Sequence, residues 1–462
     1  MFVVRFVFAL ATAALAACSL PVQEALPESV QETTLDNGLK VVVREDHRAP
    51  VVVSQIWYKV GASDEPQGLT GISHVLEHLM FKATKTHKTG EFSRIIAENG
   101  GRENAFTGID YTAYFQQLEK TRLPIAFELE ADRMHNLLLE EEEFAKEVRV
   151  VMEERRLRTD DQPEGLAYER FMATAFGTHN YKNPIIGWMS DLEGMKVEDV
   201  RAWYQRWYVP NNATLVVVGD VNPREVLALA RRYFGAVPKR SFERTIVPAE
   251  PPQTETRRSR ISAAAQVPSL LMGFHVPAFS GRVDDWEPYA LMVLNGVLDG
   301  GGSARFEREL VRKQQIAASI DISYSPTARH PVLFVVNGTP SHGRTPTELE
   351  AAIWAQIQRV QNEPIAAQEL ERVKAQVTAS NVYTRDSVFY QAMQMGMLET
   401  VGLNWRLLDL YVERVRAVTP AQVQAVAKKY LVDSNLTVTV LDPQPGKAKP
   451  RAAAPPGGGH VR

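Results

Sequence analysis

Residues 200–217, VRAWYQRWYVPNNATLVV, set without a gap beside residues 423–440, VQAVAKKYLVDSNLTVTV. Each segment reads as a helix, a turn containing Asn212 or Asn435, and a β-rich strand, so one supersecondary unit occurs twice in the chain. Working outward from the first copy, an Asp36-Asn37-Gly38 turn joins strand-like stretches at 33–35 and 39–43, and 51–60 is a further β-rich run. Helical periodicity fills 70–98 and 123–158, with two strands between them, 100–107 and 111–118, joined at Gly108-Ile109-Asp110. The half closes with a helix at 197–207, a strand at 213–218 and a helix at 223–234.

Runs of strand and helix in this order predict an α+β fold with a mainly antiparallel sheet. The duplication then predicts two similar α/β-sandwich domains, each with its helices packed on one face of the sheet. The expected divisions are a first domain over 31–236, a linker over 237–262 that is rich in Pro and charge, a second domain over 263–441, and a disordered tail over 442–462. In the second half, helices around 305–313, 351–360 and 393–398 are expected, and the apolar positions of the last two read as core. The run Gly300-Gly301-Gly302-Ser303 lacks the Gly-Lys-Ser/Thr ending of a phosphate loop and reads as a plain loop.

Composition narrows the functional classes. The 462 residues are 45% hydrophobic and 23% charged, as in ordinary globular proteins. Lys and Arg total 52 against 55 Asp and Glu, a net charge of -3 that gives no electrostatic case for binding nucleic acid. The single cysteine, Cys18, excludes an intramolecular disulfide and a cysteine-based zinc site, so any metal must be held by His and carboxylates.

That cysteine ends a targeting segment. Residues 1–17 place Arg5 before an apolar run too short to span a membrane, the pattern of a secretory signal. The ending Leu15-Ala16-Ala17-Cys18 resembles a bacterial lipobox, with a plain signal peptide as the alternative. The lipobox reading implies export to the periplasm, a lipid on Cys18 followed by a spacer over 18–30 and, with Ser19 next, an outer-membrane lipoprotein.

The chemistry-bearing residues lie in the first half. In Gly71-Ile72-Ser73-His74-Val75-Leu76-Glu77-His78, a helix puts His74 and His78 on one face, four residues apart and close enough to share one metal ion. Glu77 lies on the same face, where a carboxylate can take a proton from a metal-activated water. A third ligand should be an acid from another helix. Residues 147–154, EVRVVMEE, offer Glu147 and Glu154, seven apart and on a common face, while Glu153 points toward solvent. Read without the histidines, this acidic stretch is a solvated helix face.

With the distal glutamate 76 residues past the second histidine, the flanking LMFKAT at 79–84 and GGRENAFTGIDYTAY at 100–114, the chain resembles the pitrilysin/insulinase family of inverted-motif zinc metallopeptidases over nearly its whole length. The resemblance implies a clamshell of two domains around a chamber. It also implies one Zn2+ per chain on His74, His78 and Glu154, Glu77 as general base, and Glu147 supporting the ligands. Asn104, Ala105 and Phe106 would form an edge strand onto which an extended peptide substrate adds. Relatives complete this site with an Arg and a Tyr seven apart in the second half, where this chain has Val311 and Ala318. Arg312 is one residue out of step, and Tyr324 stands twelve beyond it. Either other residues do that work, or a related family member supplies the pair in a dimer, hetero- or homomeric. The expected activity is hydrolysis of peptides in the cell envelope, and the rival class is a noncatalytic binding or assembly subunit.

Overall fold

The computed structural model describes residues 30–444 apart from 242, 245, 246 and 283. The expected signal peptide, Cys18 with its lipid, the spacer through 29 and residues 445–462 of the expected tail lie outside the described residues. Among the described residues no helix is long and apolar enough to cross a membrane.

The first half runs β1 (Val30–Thr34), β2 (Lys40–Glu45), β3 (Val51–Tyr58), α1 (Ile72–Leu79), α2 (Glu91–Glu98), β4 (Arg102–Thr107), β5 (Thr112–Glu119), α3 (Leu123–Asn136), α4 (Glu141–Arg155), α5 (Pro163–Ala175), α6 (Met189–Gly194), α7 (Val197–Trp207), β6 (Ala213–Gly219) and α8 (Pro223–Phe234). The second runs β7 (Arg257–Ala263), β8 (Ser269–Val276), α9 (Glu287–Leu298), β9 (Ala317–Ser323), β10 (Val332–Pro340), α10 (Pro346–Asn362), α11 (Ala367–Thr384), α12 (Val388–Thr400), α13 (Leu407–Ala417), α14 (Pro420–Tyr430) and β11 (Leu436–Pro443). The helical stretch expected over 70–98 is two helices, because Thr84 leaves the helical path to bridge Leu137. The expected 305–313 helix is a π-helical segment, Phe306–Lys313.

The strands order as β1-β2-β6-β3-β5-β4 and β7-β11-β8-β10-β9. Setting β1 aside, each sheet has one parallel pair, β2 with β6 and β7 with β11, and is otherwise antiparallel. The duplication therefore holds strand for strand. It also holds for side chains: Asn212 Nδ2 donates to the carbonyl of Trp207 at 3.0 Å and Asn435 Nδ2 to that of Tyr430 at 2.8 Å, each satisfying a carbonyl left open at the end of the preceding helix. The strand after the first turn, β6, ATLVVVG, is buried throughout, as suits a strand covered on both faces, whereas β11, LTVTVLDP, carries Thr437 and Thr439 on one face.

Each sheet carries its own helices on one face, in cores built around Val41, Ile56, Leu76, Phe127 and Leu215 in the first half and Leu270, Phe274, Leu294, Ile353 and Val438 in the second. The other face takes a helix from the opposite half. Ala392, Met393, Met395 and Leu398 of α12 pack on Val53, Trp57, Val216 and Val218, and Ala167, Phe171 and Ala175 of α5 pack on Leu271, Leu333 and Leu441. The apolar positions at 393–398 are thus core, as their pattern predicts, but the sheet they cover belongs to the first half. The crossing is close: a Cβ on Gly396 would lie 2.1 Å from the Trp57 Nε1.

The expected linker is shorter than 237–262. Val237 is buried in the first core, and 257–263 is the edge strand β7. Its sequence, RRSRISA, hides a strand behind outward arginines, the usual protection of a sheet edge. Between them Glu250 accepts from the backbone N–H groups of Gly177, Thr178 and His179 at 2.8–2.9 Å, which pins the connection to the first half. At the other end β11 continues to Pro443, two residues past the expected boundary of the tail.

Candidate functional site

The site is built on α1. Gly71 precedes it with φ +86°, and a Cβ there would meet the Ile186 carbonyl oxygen at 2.5 Å, so glycine alone fits this corner. The buried Glu65 carboxylate accepts from the N–H groups of Gly71 (2.7 Å) and Ser73 (2.9 Å), satisfying donors that a helix start leaves open. The helix buries its apolar face in the first core and presents His74, Glu77 and His78 toward α4 and β4.

His74, His78 and Glu154 bring their ligand atoms within 4.8 Å of one another. Glu154 Oε2 lies 3.7 Å from His74 Nε2 and 3.6 Å from His78 Nε2. A tetrahedral ion with bonds of about 2.0–2.1 Å needs donors about 3.4 Å apart, so both separations from Glu154 are close to what a shared zinc ion requires. Glu147 Oε2 meets His78 Nδ1 at 3.2 Å, and its Oε1 meets Lys82 Nζ at 2.6 Å. Glu147 therefore fixes the ring of His78 and is itself held by a lysine, an arrangement that suits a metal-ligating histidine. Glu153 points outward to Arg156.

The charges are strongly coupled. Burial works against the His78 imidazolium, but Glu147 and Glu154 outweigh it and raise the pKa to about 9. Burial likewise opposes the Glu154 carboxylate, and His78, His74 and Arg158 bring it down to about 2. Glu147 is lowered, chiefly by His78. Two carboxylates thus hold a cation between them. Glu77 behaves oppositely: burial raises it to about 7, while the Thr107 hydroxyl, donating to Oε2 at 2.5 Å, pulls the other way. A carboxyl poised near neutrality can both take and return a proton.

Asn104, Ala105 and Phe106 lie on β4, the free edge of the first sheet. The Ala105 N–H donates to its neighbour's Asn104 Oδ1 at 2.9 Å rather than to a strand, so a pairing group at the edge is covered by a side chain that an incoming strand can displace. Phe106 packs edge-on against Trp57, ring centroids 5.3 Å apart. Beyond β4 a cavity of about 980 Å3 opens between the halves, walled by His74, Thr107, Ile109 and Phe176 on one side and Tyr324 and Leu333 on the other.

Neither residue at the places of the missing pair serves this cavity: Val311 packs on the second core and Ala318 is exposed on β9. Arg312 is exposed and paired with Glu307 at 3.0 Å. Tyr324 does reach the cavity wall, its hydroxyl donating to the Pro277 carbonyl at 2.7 Å. Sequence reasoning missed Thr107, Lys82 and Arg158. Alternation along β4 was the available signal for Thr107, which shares a face with the buried Ala105. Arg158 stands four residues past Glu154, the spacing of a helical ion pair, which was its available signal, while the pairing of Lys82 with Glu147 has no local signal.

Residues 40–188 match the family model described as Insulinase (Peptidase family M16), and residues 194–377 match that of the Peptidase M16 inactive domain, in agreement with the absence of the histidine motif from the second half. The chain is 32% identical to zinc protease PqqE of Helicobacter pylori over 92% of this chain and 95% of that one. It is 24% identical to an uncharacterized zinc protease, YmxG, of Bacillus subtilis over 87% and 96%. Its fold superimposes on the crystal structure of a protease from Helicobacter pylori with TM-score 0.85 at 30% identity, covering 90% of this chain and 99% of that one. It also follows half of the periplasmic protease PqqL of Escherichia coli, TM-score 0.74 at 18% identity, over 93% of this chain and 49% of that one. With its two matched halves and a relative this similar over nearly its full length, the chain belongs to the insulinase family, peptidase family M16.

Proposed function

We propose that the chain is a zinc-dependent endopeptidase acting on extended peptides or unfolded protein segments in the bacterial cell envelope. The observation that carries this reading is the convergence of the ligand atoms of His74, His78 and Glu154 within 4.8 Å, with Glu77 beside them on the hydroxyl of Thr107. Zinc held by those three residues would polarise a water and the substrate carbonyl. Glu77, near neutrality through burial, takes a proton from the attacking water and returns it to the leaving amine. Thr107 fixes the carboxylate for that transfer. Glu147 and Lys82 hold the His78 ring in place. The edge of β4 aligns the substrate main chain as an added strand, which favours extended and flexible peptides over folded ones.

Two finer points belong to the same reading. The chain is the catalytic member of a dimer in which a related chain supplies the Arg and Tyr replaced here by Val311 and Ala318; Arg312, paired with Glu307 and not among the residues that line the cavity, supports this. It is exported and, through Cys18, anchored by lipid to the outer membrane, as its first residues suggest. The test is zinc content and cleavage of a mixed peptide library by protein lacking the lipid signal, with Glu77→Gln alongside. About one zinc per chain and cleavage lost in Glu77→Gln supports the reading, and absence of zinc contradicts it. Adding a relative that carries the Arg and Tyr should raise cleavage; equal rates with and without it contradict the dimer.

A further inference from the structure

The sequence Glu154-Arg155-Arg156-Leu157-Arg158 carries three arginines in four residues, and the structure sends each to a different task. Past Arg155, α4 widens into a π turn, Arg156–Asp160, a distortion that often marks a functional position in a helix. Arg155 is buried and holds Glu169 at 2.7 and 3.0 Å and the Gly187 carbonyl at 2.8 Å. Arg156 faces solvent and pairs with Glu153. Arg158 alone turns back toward the metal site, where its Nη1 bonds Oε1 of Glu154 and its side chain lines the cavity beside His74 and Thr107.

The two oxygens of Glu154 are thereby divided. Oε2 faces both imidazoles at 3.6–3.7 Å, and Oε1 is taken by the guanidinium. An unrestrained carboxylate can rotate and can offer a metal one oxygen or two. With Oε1 held, Glu154 is pre-set to give one oxygen, and the fourth tetrahedral position stays open. The turn that carries Arg158 is itself braced: α5 passes so close that a Cβ on Gly165 would sit 2.8 Å from the Arg158 carbonyl oxygen.

Resting on the zinc reading above, we propose that Arg158 is the positioning residue of the metal ligand Glu154, fixing its rotation so that Oε2 alone faces the ion. A cation beside a divalent ion repels it, so charge alone would make removal of Arg158 strengthen binding. The orientation effect opposes this: losing a group that orients a metal ligand usually weakens binding by about 10–100-fold. The proposal is that orientation wins.

The experiment is chelator-competition measurement of zinc affinity for the full chain and for Arg158→Gln, Arg158→Lys, Arg156→Gln and Glu154→Gln, with thermal melts of the zinc-free forms. The expected result is a loss of about tenfold or more in Arg158→Gln, partial recovery in Arg158→Lys, no change in Arg156→Gln, and unchanged melting of the zinc-free proteins. At saturating zinc, peptide KM stays the same in Arg158→Gln. Unchanged or tighter zinc binding in Arg158→Gln overturns the proposal, as does a rise in KM at unchanged affinity, which would place Arg158 on the substrate instead. Wild-type protein that binds no zinc, or binds it equally well with Glu154→Gln, overturns the zinc reading itself and the proposal with it. Binding that depends on Glu154 but not on Arg158 overturns the proposal alone.

Discussion

At the scale of single residues, the site separates what is local in sequence from what folding brings in. His74, Glu77 and His78 were readable because their spacing alone puts them on one helix face. Glu154 was readable as one of two candidates on a second helix, and its 3.6–3.7 Å approach to both imidazoles distinguishes it from Glu147, which reaches only the far side of His78. Thr107 acts on Glu77, distant in sequence, and only the alternation along β4 hints at it, while Arg158 stands four residues past Glu154 but reaches it through a helix distortion. Thr107 gives the sharpest test at this scale. Its hydroxyl donates to Glu77, a carboxyl that burial alone would push higher still. Thr107→Val keeps the shape and removes that donor, so the kcat for peptide cleavage should fall about tenfold or more with zinc content unchanged, and Thr107→Ser should retain most of it. Zinc lost together with activity would show instead that Thr107 serves the fold of β4.

At the scale of elements, strands and helices were legible where the apolar period was strong, as in α7, β6 and α8, whose expected bounds agree with the structure to within a residue. Legibility failed where burial comes from the other half. The stripe on α12 shows that the helix is covered, and nothing in it says which sheet covers it. β7 failed for the opposite reason, since its arginines mimic a linker while its backbone pairs with β11. The placement of α12 makes a prediction at Gly396, where a Cβ would meet Trp57 at 2.1 Å. Alanine is favoured over glycine in a helix interior by about 1 kcal/mol. Overpacking against a fully buried indole costs about 1–3 kcal/mol or more, so the clash should win and Gly396→Ala should lower the melting temperature. A higher melting temperature would mean that α12 does not lie on the first sheet as described.

At the scale of the molecule, the halves are joined by exchanged helices and by polar contacts, among them Lys40 with Glu399 at 2.7 Å, Trp405 with Glu32 at 2.9 Å and a seam around Arg329. Arg329 of the second half reaches the buried Asp64 of the first at 2.6 and 2.9 Å, and its backbone N–H donates to Asp110 at 3.0 Å. Asp110 also accepts from Tyr181 at 2.6 Å and lies in the turn that follows β4, so the seam ties the edge strand to the opposite half. Arg329→Ala takes the cation from buried Asp110 and leaves Asp64 only Arg244 at 3.3 Å, and should cost about 3–5 kcal/mol, read as a lower unfolding midpoint in denaturant. A shift under 1 kcal/mol would show the seam to be open in solution. The same seam sets a pH dependence. Burial, aided by neighbouring His330, pushes His179 down to about 4 from an ordinary 6.5, and its Nδ1 accepts from the Tyr181 N–H at 3.1 Å. Between those values the unfolded chain binds a proton that the folded seam refuses, so stability present above 6.5 is lost progressively as pH falls toward 4. Melts of wild type and His179→Gln across pH 7.5 to 4.5 should converge as pH falls; parallel curves would assign the acid loss to other groups. All of these effects surround a site whose identity one measurement decides: anomalous diffraction at the zinc edge from crystals of the full chain grown with zinc. The account predicts a single peak about 2.1 Å from His74 Nε2, His78 Nε2 and Glu154 Oε2, with Glu77 near but not bonded to it. A peak elsewhere, or none, would contradict it.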